Sequence, residues 1–179
     1  MQQAVLAFIA LVISYLIGSF PSGYLAGRFL KGIDLREKGS GSTGATNVLR
    51  HIGKGPALIV LLIDIGKGIA AVYLAKALLF NDALEVVLGL SALAGHIWPI
   101  WLNWKGGKAV ATGLGMLLGI SWPVGLASFG VFITVLSFSR IVSLSSVCAA
   151  ISLPLLMVIS FKSNPFSPAY FVFALIAMA

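Results

Sequence analysis

Long apolar stretches separated by short polar ones dominate the chain. Apolar runs cover residues 4–20, with a weaker continuation to residue 30, and then residues 56–80 and 84–102. Two further runs cover residues 109–139 and 141–161, and a last one begins at residue 169. Because about 20 apolar residues cross a bilayer as a helix, these runs predict membrane-spanning helices.

The uncharged run 109–139 is too long for one crossing and short for two. Ser121-Trp122-Pro123 stands near its middle. Proline is favoured in a first helical turn after a serine cap, and tryptophan prefers the membrane interface. We therefore expect two short helices here. The whole chain is then an all-α membrane protein of about seven transmembrane helices, forming a single domain over residues 1–179.

The first and last apolar runs differ from the others. The first apolar run resembles the core of a signal peptide, but Met1-Gln2-Gln3 carries no basic side chain and no small-residue cleavage site follows. We read it as a retained helix. The last run reaches only about half a crossing before Ala179. We therefore expect the sequence to stop inside its final helix, with a C-terminal tail missing.

Composition supports the membrane assignment. The chain is 59% hydrophobic and 9% charged, whereas soluble domains carry about 25% charged residues. Such a chain cannot coat a water-exposed surface, and it is too apolar to be disordered. Its single cysteine, Cys148, excludes an internal disulfide and a cysteine-based metal site.

The basic residues predict an orientation. With seven crossings, two basic residues, Lys76 and Lys162, fall on one side, and Lys67 lies within a helix. The other nine of the twelve share the opposite side: Arg28, Lys31, Arg36, Lys38, Arg50, Lys54, Lys105, Lys108 and Arg140. Excess Lys and Arg marks the cytoplasmic face, so the N-terminus is expected outside. The net charge of +7 then reflects topology and anionic lipid instead of nucleic acid.

The one long polar stretch contains the sequence GSGSTGATNVLR at positions 39–50. Its glycines match G-x-G-x-x-G, but no hydrophobic strand precedes them, so a dinucleotide site is excluded. Closely spaced glycines predict a nest of backbone N–H groups for an anion. Arg50 adds a planar bidentate donor. Neutral donors accompany it: Ser40, Ser42, Thr43, Thr46 and Asn47.

A second polar cluster lies on the same predicted side. His96 approaches the interface, and WKGGK at positions 104–108 directly precedes the helix that contains Thr112. A helix N-terminus carries partial positive charge and unpaired N–H groups that suit phosphate. Lys105 and Lys108 alone could be topological anchors, but two glycine-rich basic segments on one face favour a phosphate site.

Polar residues inside the predicted helices leave alternatives open. Asp64 and Lys67 share one helix face, where a functional role and a structural ion pair are both compatible with the pattern. His96 is either a buried, satisfied imidazole or part of the site. Ser143 follows Arg140 and either lines the site or bonds a backbone carbonyl. We expect no metal and no cofactor, since no pair of carboxylates, metal-ligand cluster or Ser-His-Asp set can be assembled.

The two loops carry a resemblance to a known family. GSGSTGATNVLR at 39–50, GHIWP at 95–99 and WKGGK at 104–108 resemble the bacterial acyl-phosphate:glycerol-3-phosphate acyltransferases. DIGKG at 64–68 and SLSS at 143–146 also fit, so the resemblance covers nearly the whole chain. Ser42 and Ala109 stand where that family usually has Asn and Gly. The family's further motif with His and Asn lies beyond the last residue given.

The resemblance implies a multi-pass enzyme of the bacterial plasma membrane. It would move a fatty acyl group from acyl phosphate to the sn-1 hydroxyl of glycerol 3-phosphate, giving lysophosphatidic acid and phosphate in the first step of phospholipid synthesis. Its partners are these two substrates and membrane lipid, and a monomer is compatible with the sequence.

On this interpretation the expected catalytic residues are Ser40, Arg50, Lys105 and His96. The expected contacts to phosphate and glycerol are Gly41, Ser42, Thr43, Thr46, Asn47, Gly106, Gly107, Lys108, Thr112 and Ser143. Either His96 or a substrate phosphate takes the hydroxyl proton, since a phosphate ester is largely dianionic at pH 7.

A transporter of a phosphorylated solute is the alternative function. Intramembrane Asp64 and Lys67 and glycine-interrupted helices are typical of such proteins. Against this, the chain shows no internal repeat, and its polar motifs gather on one side instead of at the midplane.

Overall fold

The computed structural model describes residues 1–160 and positions 168, 170 and 172. Over the described residues the secondary structure is helical, as predicted. The main helices are α1 (Gln2–Ser19), α2 (Ser22–Lys31), α3 (Ala45–His51), α4 (Lys54–Ala77), α5 (Asp82–Ile97), α6 (Val110–Ile120), α7 (Trp122–Ser139) and α8 (Val142–Ser160). Short 3₁₀ turns cover Leu35–Glu37 and Ile100–Leu102.

Five helical segments in the described part are long and apolar enough to cross a membrane. They are Gln2–Lys31, Lys54–Ala77, Asp82–Leu102, Trp122–Ser139 and Val142–Ser160. The predicted helix starting at residue 169 falls outside the described residues, apart from positions 170 and 172. The count of seven and the external N-terminus therefore stay predictions.

The run 109–139 divides as the sequence indicates. Helix α6 ends at Ile120 and α7 begins at Trp122, with Pro123 in its first turn. Helix α6 has 11 residues, which rise only about 16 Å. It is therefore too short to cross a 30 Å hydrocarbon core by itself.

The first apolar run is interrupted where its hydrophobicity weakens. Helix α1 ends at Ser19 and α2 begins at Ser22, because Pro21 has no N–H to continue the hydrogen-bond ladder. Helix α2 then ends at Lys31, and the residue that caps it, Gly32, is left-handed with a φ of 65°. The break leaves the carbonyl of Phe20 open to a side-chain donor.

Glycines allow the central helices to pack backbone against backbone. At the α4–α6 crossing, a Cβ on Gly68 would overlap the carbonyl oxygen of Thr112, and one on Gly115 would overlap that of Ile65. At the α1–α5 crossing, Gly18 and Gly95 meet the partner backbone in the same way. Small residues of this kind are how apolar helices approach closely where no hydrophobic effect drives them together.

We expect Gly68→Ala to destabilise the protein and Gly66→Ala to leave it as stable or slightly more so. An added methyl at Gly68 meets only backbone atoms of α6, whereas nothing lies within 4 Å of one at Gly66. Overpacking costs about 1–3 kcal/mol, and replacing a helical glycine without a clash gains about 0.5–1 kcal/mol. Thermal unfolding in detergent measures both, and equal midpoints for the two variants would contradict this packing.

Candidate active site

The two polar loops meet at the same end of the helices. The first loop comprises residues 32–44, between α2 and α3, and the second comprises residues 103–109, before α6. The amide of Thr43 donates to the carbonyl of Gly106 at 3.4 Å. Arg36 Nη1 donates to the carbonyl of Leu102 at 3.0 Å. The fold thus brings together two motifs whose bonded residues, Arg36 and Leu102, are 66 positions apart in sequence.

Asn47 organises the first loop from the inside. Its side chain is 1% exposed, and Nδ2 lies 2.9–3.0 Å from the carbonyls of Leu35, Lys38 and Ser42. Its Oδ1 accepts from the amide of Ser40 at 3.4 Å. The sequence predicted Asn47 as a substrate contact, but the structure shows a buried residue whose amide group is spent on the loop.

The predicted nest of free amides is not present in the first loop. The amides of Gly41 and Gly44 donate to the carbonyl of Lys38 and to Ser42 Oγ. Those of Ser40 and Thr43 are bonded to Asn47 and Gly106. These N–H groups therefore cannot converge on a phosphate, and the nest prediction is wrong here. The loop glycines serve backbone shape instead, as at Gly39, whose φ is 55°.

The second loop is held against His96. The amides of Gly106 and Gly107 donate to the carbonyls of Ile97 and His96, each at 3.0 Å. A Cβ on Gly106 would overlap the carbonyl oxygen of His96, and one on Gly107 would overlap the imidazole Nε2. Both positions therefore require glycine for close approach. Contact of Gly106 and Gly107 with substrate stays a prediction, and it would have to use atoms other than these bonded amides.

The helix start that the sequence predicts after the second loop is present at α6, and its role in anion binding stays a prediction. Its N-cap, Ala109, is left-handed with a φ of 54° and has no capping side chain. The first amides of the 11-residue helix, from Val110 to Thr112, thus lack intrahelical partners. Such amides, with the positive end of the helix dipole, favour phosphate.

Three of the exposed, unpaired cations on this face come from the two motifs that the sequence singled out. Arg50, in the last turn of α3, and Lys105 and Lys108 in the second loop are exposed. Within the described part of the chain, no carboxylate lies within 4.0 Å of any of them. Ser40 and Gly41 are exposed on the first loop, and Ser42 and Thr46 are half-buried. We refer to Arg50, Lys105 and Lys108 as the exposed cations.

Other predicted site residues are buried or lie apart. His96 is 7% exposed, and its Nδ1 lies 3.3 Å from Oγ1 of the fully buried Thr112. Thr43 is 5% exposed and contributes its backbone. Ser143 lies in the first turn of α8 with an exposed side chain, and α8 packs mainly on α7. Nothing in the described chain ties Ser143 to the two loops.

Asp34 and Arg36 support the first loop, although the sequence indicated Arg36 only as one of the basic residues and gave no role to Asp34. Arg36 Nη2 and Nε donate to the carboxylate of Asp34 at 2.6–3.2 Å, and Asp34 Oδ1 also accepts from the Arg36 amide. These hydrogen bonds lower the pKa of Asp34 from 3.8 to about 2. The spacing Asp34-Leu35-Arg36 is a turn-capping pattern that could have indicated this, since Asp caps short helical turns.

Asp64 and Lys67 form a buried ion pair in α4. Lys67 Nζ lies 2.6 Å from Asp64 Oδ1, and the side chains are 5% and 1% exposed. Ser22, at the start of α2, donates to the same Asp64 oxygen at 2.7 Å. The sequence indicated the Asp64–Lys67 pair but not Ser22, because only the fold brings Ser22 to α4.

Comparisons with known proteins agree with the resemblance. Residues 8–179 match the sequence profile of a family described as glycerol-3-phosphate acyltransferase. A protein of that name from Prochlorococcus marinus (strain MIT 9313) is 71% identical over 96% of this chain and 83% of its own length. One from Parasynechococcus marenigrum (strain WH8102) is 68% identical over 96% of this chain and 79% of its own.

The fold is also similar to solved structures. A crystal structure of PlsY (YgiH), an integral membrane glycerol 3-phosphate acyltransferase, in its glycerol 3-phosphate form aligns with a TM-score of 0.85 and 35% identity. A second, in the lysophosphatidic acid form, aligns with a TM-score of 0.82 and 34% identity. Each alignment covers 96% of this chain and 84% of the solved one.

We expect Asn47→Asp to disorder the first loop. The change keeps the size of the side chain but replaces a donor that faces three carbonyls by an acceptor. Each buried group left unsatisfied costs about 1–3 kcal/mol. Faster proteolysis of residues 32–44 and a lower unfolding midpoint are the expected results.

Asn81→Asp is the matched control for this substitution. Asn81 caps α5 by accepting from the Leu84 amide, a task that aspartate performs equally well. We therefore expect no loss of stability at Asn81. If Asn47→Asp were as well tolerated as Asn81→Asp, Asn47 would not organise the loop.

The Asp34 pair predicts a pH dependence of stability. Since the folded pKa is depressed, the pair stabilises the fold fully above pH 3.8 and loses its effect as pH falls through about 2. Wild-type protein should unfold at a higher temperature than Asp34→Asn near neutral pH, and the two midpoints should converge toward pH 2. A difference that stayed constant with pH would show that the charge of Asp34 is not what stabilises the loop.

Proposed function

The chain belongs to the glycerol-3-phosphate acyltransferase family, and we propose that its acyl donor is an acyl phosphate. On this proposal the enzyme moves a fatty acyl group to the sn-1 hydroxyl of glycerol 3-phosphate and releases inorganic phosphate. The acceptor and the lysophosphatidic acid product are the molecules named in the forms of the PlsY structures. The family assignment removes the support for a transporter.

The observation that carries the donor proposal is the set of exposed cations. Both an acyl phosphate and glycerol 3-phosphate present a phosphate group, and three unpaired cations together with the amides of α6 supply enough positive charge for two. Arg50 suits one phosphate because its guanidinium bonds two oxygens at once. Lys105 and Lys108 flank the glycine pair beside the α6 N-terminus and suit the other.

The acyl chain is proposed to lie among apolar helices with its phosphate at the loops. The segment Lys54–Ala77 is apolar except for the Asp64–Lys67 pair and a lysine near each end, and its first turn follows α3 at the polar end of the molecule. This position matches a site in the cytoplasmic half of a bacterial plasma membrane, where excess basic residues are expected.

Transfer is proposed to proceed directly, without an acyl-enzyme. The glycerol hydroxyl oxygen attacks the acyl carbonyl carbon, the bond from that carbon to the phosphate oxygen breaks, and phosphate leaves. The hydroxyl proton passes to a phosphate oxygen, which accepts it because the dianion is basic near pH 7. Lys105 and the Ser40 hydroxyl would stabilise the charge that develops on the carbonyl oxygen.

The burial of His96 supports phosphate as the proton acceptor. Its Nδ1 faces Thr112, and its Nε2 lies against Gly107. Neither nitrogen thus points to the exposed side of the loops, where a substrate hydroxyl would lie. We propose that His96 supports the second loop and is not the general base.

The activity is tested with complete enzyme in lipid bilayers, supplied with acyl phosphate and glycerol 3-phosphate. Lysophosphatidic acid and phosphate should form in equal amounts. Arg50→Lys and Lys105→Met should lower kcat/KM by about 10- to 150-fold, the effect of losing a charged hydrogen bond. Lys31→Met, which removes an exposed charge from α2 on the same face, is the control and should retain activity.

Two results would contradict the proposal. One is an absence of product with acyl phosphate together with product from an acyl thioester, which would identify a different donor. The other is an acylated Ser40 trapped before glycerol 3-phosphate is added, which would replace direct transfer by a covalent intermediate.

A further inference from the structure

Five buried polar side chains form a connected group beneath the two loops. They are Ser22, Asp64, Lys67, His96 and Thr112, which we call the buried polar network, and none is more than 7% exposed. They come from α2, α4, α5 and α6. Charged groups inside apolar helices are costly unless paired, so a group of this size requires an explanation.

Lys67 is fully satisfied within this network. Its ammonium lies 2.6 Å from Asp64 Oδ1, 2.6 Å from the carbonyl oxygen of Phe20 and 3.3 Å from Ser22 Oγ. Three acceptors match the three N–H donors of a lysine. The Phe20 carbonyl lies at the break at Pro21, where it accepts from the Ser22 amide at 3.0 Å and uses its second lone pair for Lys67. Lys67 therefore has a complete structural role.

Asp64 is not fully satisfied. Its Oδ1 accepts from Ser22 and Lys67, and it lies 3.7 Å from His96 Nδ1. Its Oδ2 is buried without any hydrogen-bond partner in the described chain. Leaving a charged oxygen unsatisfied costs free energy that an uncharged residue would avoid, and such groups often have a functional reason.

His96 connects Asp64 to the second loop. Its Nδ1 faces both the Asp64 carboxylate and Thr112 Oγ1, while its Nε2 lies against Gly107. The Gly107 amide also donates to the His96 carbonyl. In the described residues, the imidazole therefore lies between the Asp64 carboxylate on its Nδ1 side and Gly107 on its Nε2 side.

The Asp64 charge favours one tautomer of His96. A carboxylate beside Nδ1 favours the form with the proton on Nδ1, and a neighbouring group is what normally decides which ring nitrogen carries it. Nε2 then carries no hydrogen on the side packed against Gly107. The other tautomer would place an N–H hydrogen in that contact, where the spacing already requires glycine.

We propose that Asp64 is a positioning residue for acyl transfer, acting through the tautomer of His96 on the Gly106–Gly107 pair. This sets where Lys105 and Lys108 stand relative to Arg50. The proposal rests on the proposed function for its effect on activity. The link from Asp64 to His96 stands on the contacts alone and can be measured without any substrate.

Glu85 supplies a matched control. It is a buried carboxylate on α5 that lies 3.8 Å from Lys76 Nζ, so it too faces a lysine of α4. Lys76 is nine residues beyond Lys67, about 13 Å along the helix and away from the loops. Glu85→Gln therefore makes the same chemical change as Asp64→Asn outside the buried polar network.

The first measurement is ¹⁵N NMR of histidine-labelled enzyme in bilayers. The chain has two histidines, so a His51→Gln variant assigns the His96 signals. Wild-type His96 should carry its proton on Nδ1, and Asp64→Asn should shift the population toward Nε2–H, while Glu85→Gln should not. A wild-type His96 protonated on Nε2 would overturn the proposal, even if Asp64→Asn failed to fold.

The second measurement is the kinetics of the same variants. Asp64→Asn should lower the unfolding midpoint more than Glu85→Gln does, because it leaves the buried Lys67 ammonium beside a neutral partner. Assayed below both midpoints, Asp64→Asn should raise KM for glycerol 3-phosphate at least fivefold, whereas Glu85→Gln should keep the wild-type KM. Equal KM values for the two variants would overturn the positioning role. A wild-type enzyme that makes no lysophosphatidic acid would instead contradict the proposed function and leave the NMR result intact.

Discussion

The hydrogen bonds required by the buried ammonium of Lys67 determine how the helices are arranged at the polar end of this molecule. Lys67 is 5% exposed in the middle of an apolar helix, where an unpaired charge would be prohibitive. Its three acceptors come from its own helix, from the carbonyl of Phe20 at the α1–α2 break, and from Ser22 of α2. The pair with Asp64 thus fixes how α1 and α2 stand against α4, and α2 leads directly into the first loop.

Close backbone contact transmits this arrangement to the two loops. Gly23 of α2 lies so near the carbonyl oxygen of Thr43 that a Cβ would overlap it, and the amide of Thr43 bonds Gly106. Several loop amides already donate to acceptors within the protein and do not remain free to bind an anion, namely those of Ser40, Gly41, Thr43, Gly44, Gly106 and Gly107. We therefore propose that the exposed cations and the first turn of α6 recognise phosphate.

Much of this arrangement could be predicted from local sequence. Apolar runs of about 20 residues define the helices, and Ser121-Trp122-Pro123 marks the α6–α7 junction because each residue has a local preference there. The prediction that the two loops lie together followed from the distribution of basic residues, which places both loops on the same side of the membrane. These features depend on short windows of sequence, so periodicity and composition are sufficient to find them.

The rest depends on contacts between distant segments. Asn47 is a residue type that often contacts polar substrates. Only the folded loop shows that its side-chain amide faces three backbone carbonyls. Ser22 and Asp64 are 42 residues apart, and no local pattern places their side chains 2.7 Å from each other. A glycine pair in the sequence is compatible both with free amides that bind phosphate and with close backbone packing. The structure shows close packing at Gly106 and Gly107.

The central claim is that phosphate binds to exposed side chains and α6 at the junction of the two loops. A crystal structure of the complete enzyme with bound glycerol 3-phosphate tests it most directly. The account predicts the phosphate within hydrogen-bonding distance of at least two of Arg50, Lys105 and Lys108, with the loop bond from Thr43 to Gly106 intact. A phosphate held by the amides of residues 40–44 in an opened loop, or bound at Asp64 and Lys67, would contradict it.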